Sequence, residues 1–321
     1  MRTVHNDVMP RLSVARAALP GDMLYCYILG MKVALALAVL LALAPAPGAR
    51  AADGKIAVVA AENFYGDIAR QIGGDRVTVV SIMNSPDQDP HLFETTPSIV
   101  RQIAGAQIAV LNGADYDPWM EKLLNAAPQP NRIVIIAADL VHKKPGDNPH
   151  LWYDPATMPA VARATAAALT AADAAHAGDY AARLMRFLGS ITPLNDKIAA
   201  LRGKYAGGAV TASEPVFGYM AGALGLTMRN ERFQLSIMND TEPSARDVAA
   251  FEQDLKDHKV RVMFYNKKAS NKIVQHLVAL ARAANIPVVG VTETAPPDLS
   301  YQDWMLGELN ETEKALAGPS S

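Results

Sequence analysis

Two sets of short β-branched runs, each alternating with stretches of helical period, constrain this chain more than any other feature. The first set is Lys55–Ala60, Val77–Ile82, Ile108–Leu111 and Ile133–Ile136, with Phe64–Ile72, Pro97–Ile103 and Trp119–Asn125 reading as helices between them. The second is Ala209–Ala212, Val260–Phe264 and Ile286–Val291, with helical Ser244–Leu255 and Asn271–Ala284. Strands that alternate with helices pair in parallel, because a parallel neighbour needs a long crossover and the helix supplies it. The fold class is therefore α/β, with two lobes that each hold a mainly parallel sheet flanked by helices. Ser244 and Asp247 open one of these helices as a capping box, with Asp in place of the usual Glu or Gln.

Between the two sets, about Pro155–Arg202 reads as helix, opened by Asp154 as N-cap and Pro155 at the first position. Tyr180, Leu184, Phe187, Ile191, Leu194, Ile198 and Leu201 recur at alternating spacings of four and three, one apolar stripe on a single long helix. A coiled-coil seam is the competing reading, but the flanking positions lack the charge pairing such a seam uses. The helix is read as a rigid rod lying against both lobes and joining them, with Pro193 kinking or interrupting it. That gives an N-terminal lobe at 52–153, a helical linker at 154–205 and a C-terminal lobe at 206–321.

Ahead of the first lobe, Lys32 precedes an uncharged apolar run, Val33–Ala44, which Pro45 and Pro47 close before Ala49-Arg50-Ala51. A positive start, a short apolar centre and a small-x-small end make a secretory signal. The run is too short for a bilayer, which needs about 20 residues of helix. Residues 31–51 are read as a cleaved signal peptide and 1–30 as an extension placed upstream of the true start at Met31. No Leu-x-x-Cys pattern follows, so no lipid anchor is expected. Cleavage lowers the 30 basic and 32 acidic residues to 25 and 30 and removes Cys26, the only cysteine. An acidic balance excludes a generic nucleic-acid binder, and without thiols any metal site must be built from His, Asp and Glu.

Phosphate-binding, dinucleotide-binding, zinc-protease and nucleophile-elbow motifs are all absent from the sequence. Of the seven histidines, His5 precedes the signal, and His142, His176, His258 and His276 read as solvated loop or helix residues. His91 and His150 differ: each follows Pro, in Asp89-Pro90-His91-Leu92-Phe93-Glu94 and in Asn148-Pro149-His150-Leu151-Trp152-Tyr153-Asp154. Both lie in strand-to-helix connections, the edge where open α/β sheets bind ligands. Two neutral imidazoles there suit a divalent transition metal, although a histidine beside proline is common enough to be only a loop residue. In the second lobe Glu214 and Glu293 each follow an apolar strand, where an acid is either a solvated loop residue or a ligand. Together the four residues would form a closed nitrogen and oxygen site in the cleft between lobes.

The motifs Asp89-Pro-His91…Glu94, Asn148-Pro-His150-Leu-Trp-Tyr-Asp-Pro155, Ser213-Glu-Pro-Val-Phe-Gly-Tyr219, Glu242-Pro-Ser-Ala-Arg-Asp247 and Pro287-Val-Val-Gly-Val-Thr-Glu293 carry a resemblance. The chain resembles the zinc/manganese substrate-binding proteins of ABC transporters, the cluster A-I metal receptors, over Lys55 to about Leu316. That resemblance implies a periplasmic, monomeric, non-enzymatic receptor that hands Zn2+ or Mn2+ to a membrane permease served by a separate cytoplasmic ATPase. It implies His91, His150, Glu214 and Glu293 as ligands, and a long linking helix that limits hinge motion. Zinc leads on raw affinity and Fe2+ fits the same donors. Trp152 and Tyr153 are expected to shield the site, and Asn63 or Glu94 to hold a ligand imidazole. Three departures stand out: Glu293 replaces the usual Asp, the Leu140–Asn148 loop is short with His142 alone, and Pro193 breaks the linking helix. An exported metal chaperone or storage protein, or a metallohydrolase with an open position for water, are the alternatives.

Overall fold

The computed structural model describes residues 54–85, 95–268 and 271–318. The signal peptide, the upstream extension, His91 and Glu94 lie outside the described residues. Four parallel strands form the first sheet: β1 (Ile56–Glu62), β2 (Val77–Met83), β3 (Ile108–Leu111) and β4 (Ile133–Ile136), in the order β2-β1-β3-β4. The second sheet repeats the plan with β5 (Ala209–Ala212), β6 (Thr227–Arg229), β7 (Met263–Asn266) and β8 (Val288–Val291), ordered β6-β5-β7-β8 and again parallel. In each, the chain leaves the first strand for one side and returns on the other. This makes a switch point between β1 and β3 and another between β5 and β7.

Strand alternation explains the layers. On β1 and β3, Ile56, Val58, Ala60, Ile108 and Val110 face the central core, while Val59, Ala61, Ala109 and Leu111 face Ile103 and Met120 on the outer side. Both faces of a parallel sheet must be covered, so the strands are apolar throughout. In the second sheet Val210, Ala212, Phe264 and Val291 face that same central core, and Met263 faces Phe233, Phe251 and Leu277 outside. The central core is therefore continuous across both halves. Its aromatic rings run from Phe64 to Trp152, Tyr153, Phe217 and Phe264, with centroids 4.9, 6.1, 5.4 and 4.4 Å apart in turn.

The linking region is less regular than its sequence suggests. Helix begins at Thr157, two residues later than Asp154-Pro155 predicts, although Asp154 Oδ1 does accept from Ala156 N at 2.9 Å. It then breaks at Asp173 and resumes as Ala177–Ser190 and Thr192–Tyr205, with Pro193 in the first turn of the last piece. A proline there has no bond to lose, so it marks the joint rather than damaging a helix. The predicted stripe turns inward: Tyr180, Phe187, Ile191, Leu194, Ile198 and Leu201 are all buried in the central core, which leaves no seam for a coiled coil.

Several elements escaped the sequence reading, among them the helices Ala137–Leu140, Gly218–Ala223 and Glu231–Met238, and two more matter here. One is the three-residue edge strand β6. The other is the C-terminal helix Tyr301–Ala317, capped by Ser300, whose side chain accepts from Asp303 N. Glu313 of this helix pairs with Lys197 at 2.5 Å and Lys204 at 3.0 Å, fastening it to the linking helix. Among the described residues no helix is long and apolar enough to cross a membrane.

Candidate metal centre

Both switch points open toward the same region. His150 arrives there on the short Leu151–Tyr153 turn and is only 2% exposed. Its orientation is fixed by Asn148, whose Oδ1 lies 2.6 Å from His150 Nδ1 and 3.1 Å from the His150 backbone nitrogen. Asn148 is itself oriented, because its Nδ2 donates to Pro215 O at 2.8 Å, so the oxygen must face the histidine. An amide oxygen only accepts. Nδ1 therefore carries a proton, which in the neutral imidazole leaves Nε2 to present its lone pair. Trp152 stands edge to face against the imidazole with centroids 5.3 Å apart, as shielding requires.

On the opposite side Glu214 follows β5 and Glu293 follows β8. His150 Nε2 is 4.0 Å from Glu293 Oε1. Asn266, the last residue of β7, joins the two acids: its Nδ2 donates to Glu293 Oε1 at 2.6 Å and lies 3.3 Å from Glu214 Oε2. Tyr116 donates to the other oxygen of Glu293 at 3.0 Å. Burial, then the Glu293 and Glu62 carboxylates, holds the Tyr116 phenol well above its ordinary range, so it stays protonated and keeps donating. The structure thus sets His150 against Glu293 and links Glu293 to Glu214 through Asn266. His91 lies outside the described residues, and among those residues no three His, Cys, Asp or Glu side chains cluster tightly enough to hold an ion alone.

Behind Tyr116 sit two more acids. Asp117 accepts from the Asn112 and Gly113 amides at 2.7 and 2.8 Å, yet burial pushes it up to about 6. Glu62 ends β1, is 1% exposed and lies beside Asp117 in the buried interior. Burial and then Asp117 raise it well above the carboxylate range, so it is held neutral.

Sequence reasoning missed Asn266, Tyr116 and the role of Asn148. Asn266 had a signal: it is a polar residue closing an apolar strand, as Glu214 does for β5. Among the described residues Asn63 holds no imidazole, and His91 lies outside them. The Asn63 carboxamide instead pairs with the Ala295 backbone, Nδ2 to O at 2.7 Å and Oδ1 to N at 3.0 Å. The remaining described histidines lie away from this cluster; His276, for example, pairs with Glu252 at 3.1 Å on an exposed face.

A family model described as zinc-uptake complex component A, periplasmic (ZnuA), matches residues 58–315. The manganese ABC transporter substrate-binding lipoprotein PsaA of Streptococcus mitis is 24% identical over 314 residues, spanning 90% of this chain and 99% of its own. The iron-binding protein YfeA of Yersinia pestis is 24% identical over 228 residues, 68% of this chain and 71% of its own. The periplasmic zinc-binding protein TroA of Treponema pallidum has the same fold, with a TM-score of 0.69 at 17% identity over 84% of this chain and 100% of its own. With the family match covering most of its length, the chain belongs to the ZnuA family, the substrate-binding components of metal ABC transporters.

Proposed function

We propose that this chain captures a divalent transition-metal ion in the periplasm and delivers it to an ABC importer, with His91, His150, Glu214 and Glu293 as ligands. The observation that carries the reading is the convergence of His150 with Glu214 and Glu293 at the two switch points, with Asn148 holding the imidazole in its lone-pair-outward tautomer. The ion is cargo, not a catalytic cofactor, and the family is not one of enzymes. Substrate-binding proteins of this kind work with a membrane permease and an ATPase, and here both are separate chains. The receptor acts as a monomer.

Two carboxylates cancel the double charge of the ion, so the loaded site is neutral and can remain buried. Two imidazoles with one oxygen from each acid give the tetrahedral set of zinc, and two oxygens from each give the larger set of manganese. Zinc has the higher raw affinity in the Irving–Williams order, with Fe2+ between the two. Relatives named for manganese, iron and zinc support the class of ion rather than the choice within it. PsaA of S. mitis is a lipoprotein, which bears against the expectation of an unanchored chain.

Metal analysis of the mature protein, followed by competitive titration with Zn2+ and Mn2+, tests the reading. One tight ion per chain is expected, lost on His91→Ala, His150→Ala or Glu293→Ala. Binding indifferent to His150 and Glu293 would refute it.

A further inference from the structure

Asn63 is the first residue of the helix Asn63–Gly73, directly after the last residue of β1. The N-cap position of that helix is Glu62, which makes no side-chain cap bond, and the Asn63 carboxamide does not turn back to the helix. It crosses to the C-terminal half instead and satisfies both backbone groups of one residue, Ala295, which is 3% exposed. Ala295 N can only donate and Ala295 O only accept, so the amide orientation is unambiguous. Ala295 lies two residues beyond Glu293, in the connection between β8 and the C-terminal helix. That connection is tied to the N-terminal half at other points: Tyr153 Oη donates to Thr292 O at 3.0 Å, and Tyr301 N donates to Asp67 at 2.9 Å. Among these ties, Asn63 grips the backbone two residues after the carboxylate-bearing one. It does so from the junction of a central strand and its helix, a part of the fold with little freedom.

Glu293 has one methylene more than the aspartate expected at its position, and that adds a rotatable bond between backbone and carboxylate. A longer arm reaches a fixed point only if its base is fixed. Tyr116 and Asn266 hold its tip, at 3.0 and 2.6 Å; Asn63, through Ala295, holds its base. We propose that Asn63 is a positioning residue for metal binding, setting the reach of Glu293 toward His150 and so the coordination geometry and the rate at which the ion leaves. The proposal rests on the reading of Glu293 as a ligand.

The test loads full-length mature protein with Co2+, whose visible absorption reports coordination number, and measures release of Zn2+ and Mn2+ to a chromophoric chelator. Variants are Asn63→Ala, the isosteric Asn63→Asp, which keeps the acceptor and loses the donor, and Leu277→Ala as a control. Leu277 is fully buried in the outer layer of the second sheet, so its loss costs stability without touching the site. Both Asn63 variants should release metal about tenfold faster, equivalent to about 1.4 kcal/mol, and alter the Co2+ spectrum, while Leu277→Ala does neither. An unchanged spectrum and rate in Asn63→Asp, or the same changes in Leu277→Ala, would overturn the assignment. Failure of the wild type to take up Co2+, Zn2+ or Mn2+ would instead sink the receptor reading itself.

Discussion

Replacing Asn148 by Ala isolates the tautomer argument. The side chain makes three contacts: 2.6 Å to His150 Nδ1, 3.1 Å to the His150 backbone nitrogen, and 2.8 Å to Pro215 O across the halves. Each is worth about 1 kcal/mol net, so the metal-free protein should lose about 2–3 kcal/mol of stability. Metal affinity falls for a separate reason. Without Oδ1 nothing holds the proton on Nδ1, and part of the population presents an N–H to the ion. Removing the outer partner of a ligating histidine costs about 10–100-fold in affinity, or about 1.4–2.8 kcal/mol. Chelator competition at constant pH reads the affinity, and thermal melts of the metal-free protein read the stability. Asn148→Asp separates the two effects, because its carboxylate still accepts from Nδ1 but cannot donate to Pro215 O. It should recover affinity and not stability. If Asn148→Ala binds within twofold of wild type while melting lower, Asn148 is only a strut and the tautomer argument fails.

Other consequences can be checked with the same preparations. Glu308 on the C-terminal helix is pushed up to about 7 from 4.5, chiefly by burial, so its charged form weakens the fold. A raised acid leaves stability intact below about pH 4.5 and takes it away as pH rises through 7, by about 3 kcal/mol at about 1.4 per unit. Glu308→Gln should therefore raise the melting temperature at pH 8 and leave it unchanged at pH 4.5; equal shifts at both would contradict this. Excess Zn2+ or Mn2+ should raise the melting temperature, by about 4 kcal/mol of stability at a thousandfold over Kd, and a chelator should reverse it. A melt insensitive to metal would argue against a cargo site. Gly218→Ala would place a Cβ 3.0 Å from Asn148 Nδ2, so it should mimic Asn148→Ala more weakly in chelator competition, and wild-type affinity there would show that the loop yields.

What the sequence displays best is what depends on near neighbours. Ile108–Leu111, Ile133–Ile136 and Ala209–Ala212 were bounded correctly because each is an apolar run between turns. Val260–Phe264 shifted to Met263–Asn266, since hydrophobicity ends at Tyr265 while the parallel ladder runs on to pair Asn266 with Val291. The C-terminal helix was invisible because it buries Gln302, Glu308 and Thr312 along with its apolar residues, which blurs its periodicity. At the site, His150, Glu214 and Glu293 announced themselves by following a proline or a strand. Asn266 was marked only by its place at the polar end of an apolar strand, Asn63 was read for another partner and Tyr116 was not marked at all, because each acts on a residue that only sheet register or tertiary contact brings near. Ser213 Oγ accepting from Asn266 N at 3.1 Å is one such contact, 53 positions apart in sequence.

The shared core bears on how an ion enters. Tyr153 and Phe217 are fully buried where the halves meet, and Phe264 stacks on Phe217 at 4.4 Å. Burying one such ring is worth about 1.5–3 kcal/mol, so parting the halves enough to wet three of them costs roughly 5–9 kcal/mol. The Asn148 bonds to Pro215 and Tyr219, at 2.8 and 2.7 Å, would break as well. An opening of that size is a rare state that a bound ion has no means to favour, since its ligands are then apart. Smaller rearrangements cost far less. Asn266 need only swing its amide from between Glu214 and Glu293, giving up contacts of 3.3 and 2.6 Å, for both carboxylates to turn to an ion. Asn266→Asp makes the distinction measurable. A third carboxylate between the two cannot donate to either, and it raises the local negative charge. If entry is a matter of side chains, metal-free stability should fall by about 1–3 kcal/mol while the rate of metal uptake rises. Uptake at the wild-type rate would return the control of entry to the halves.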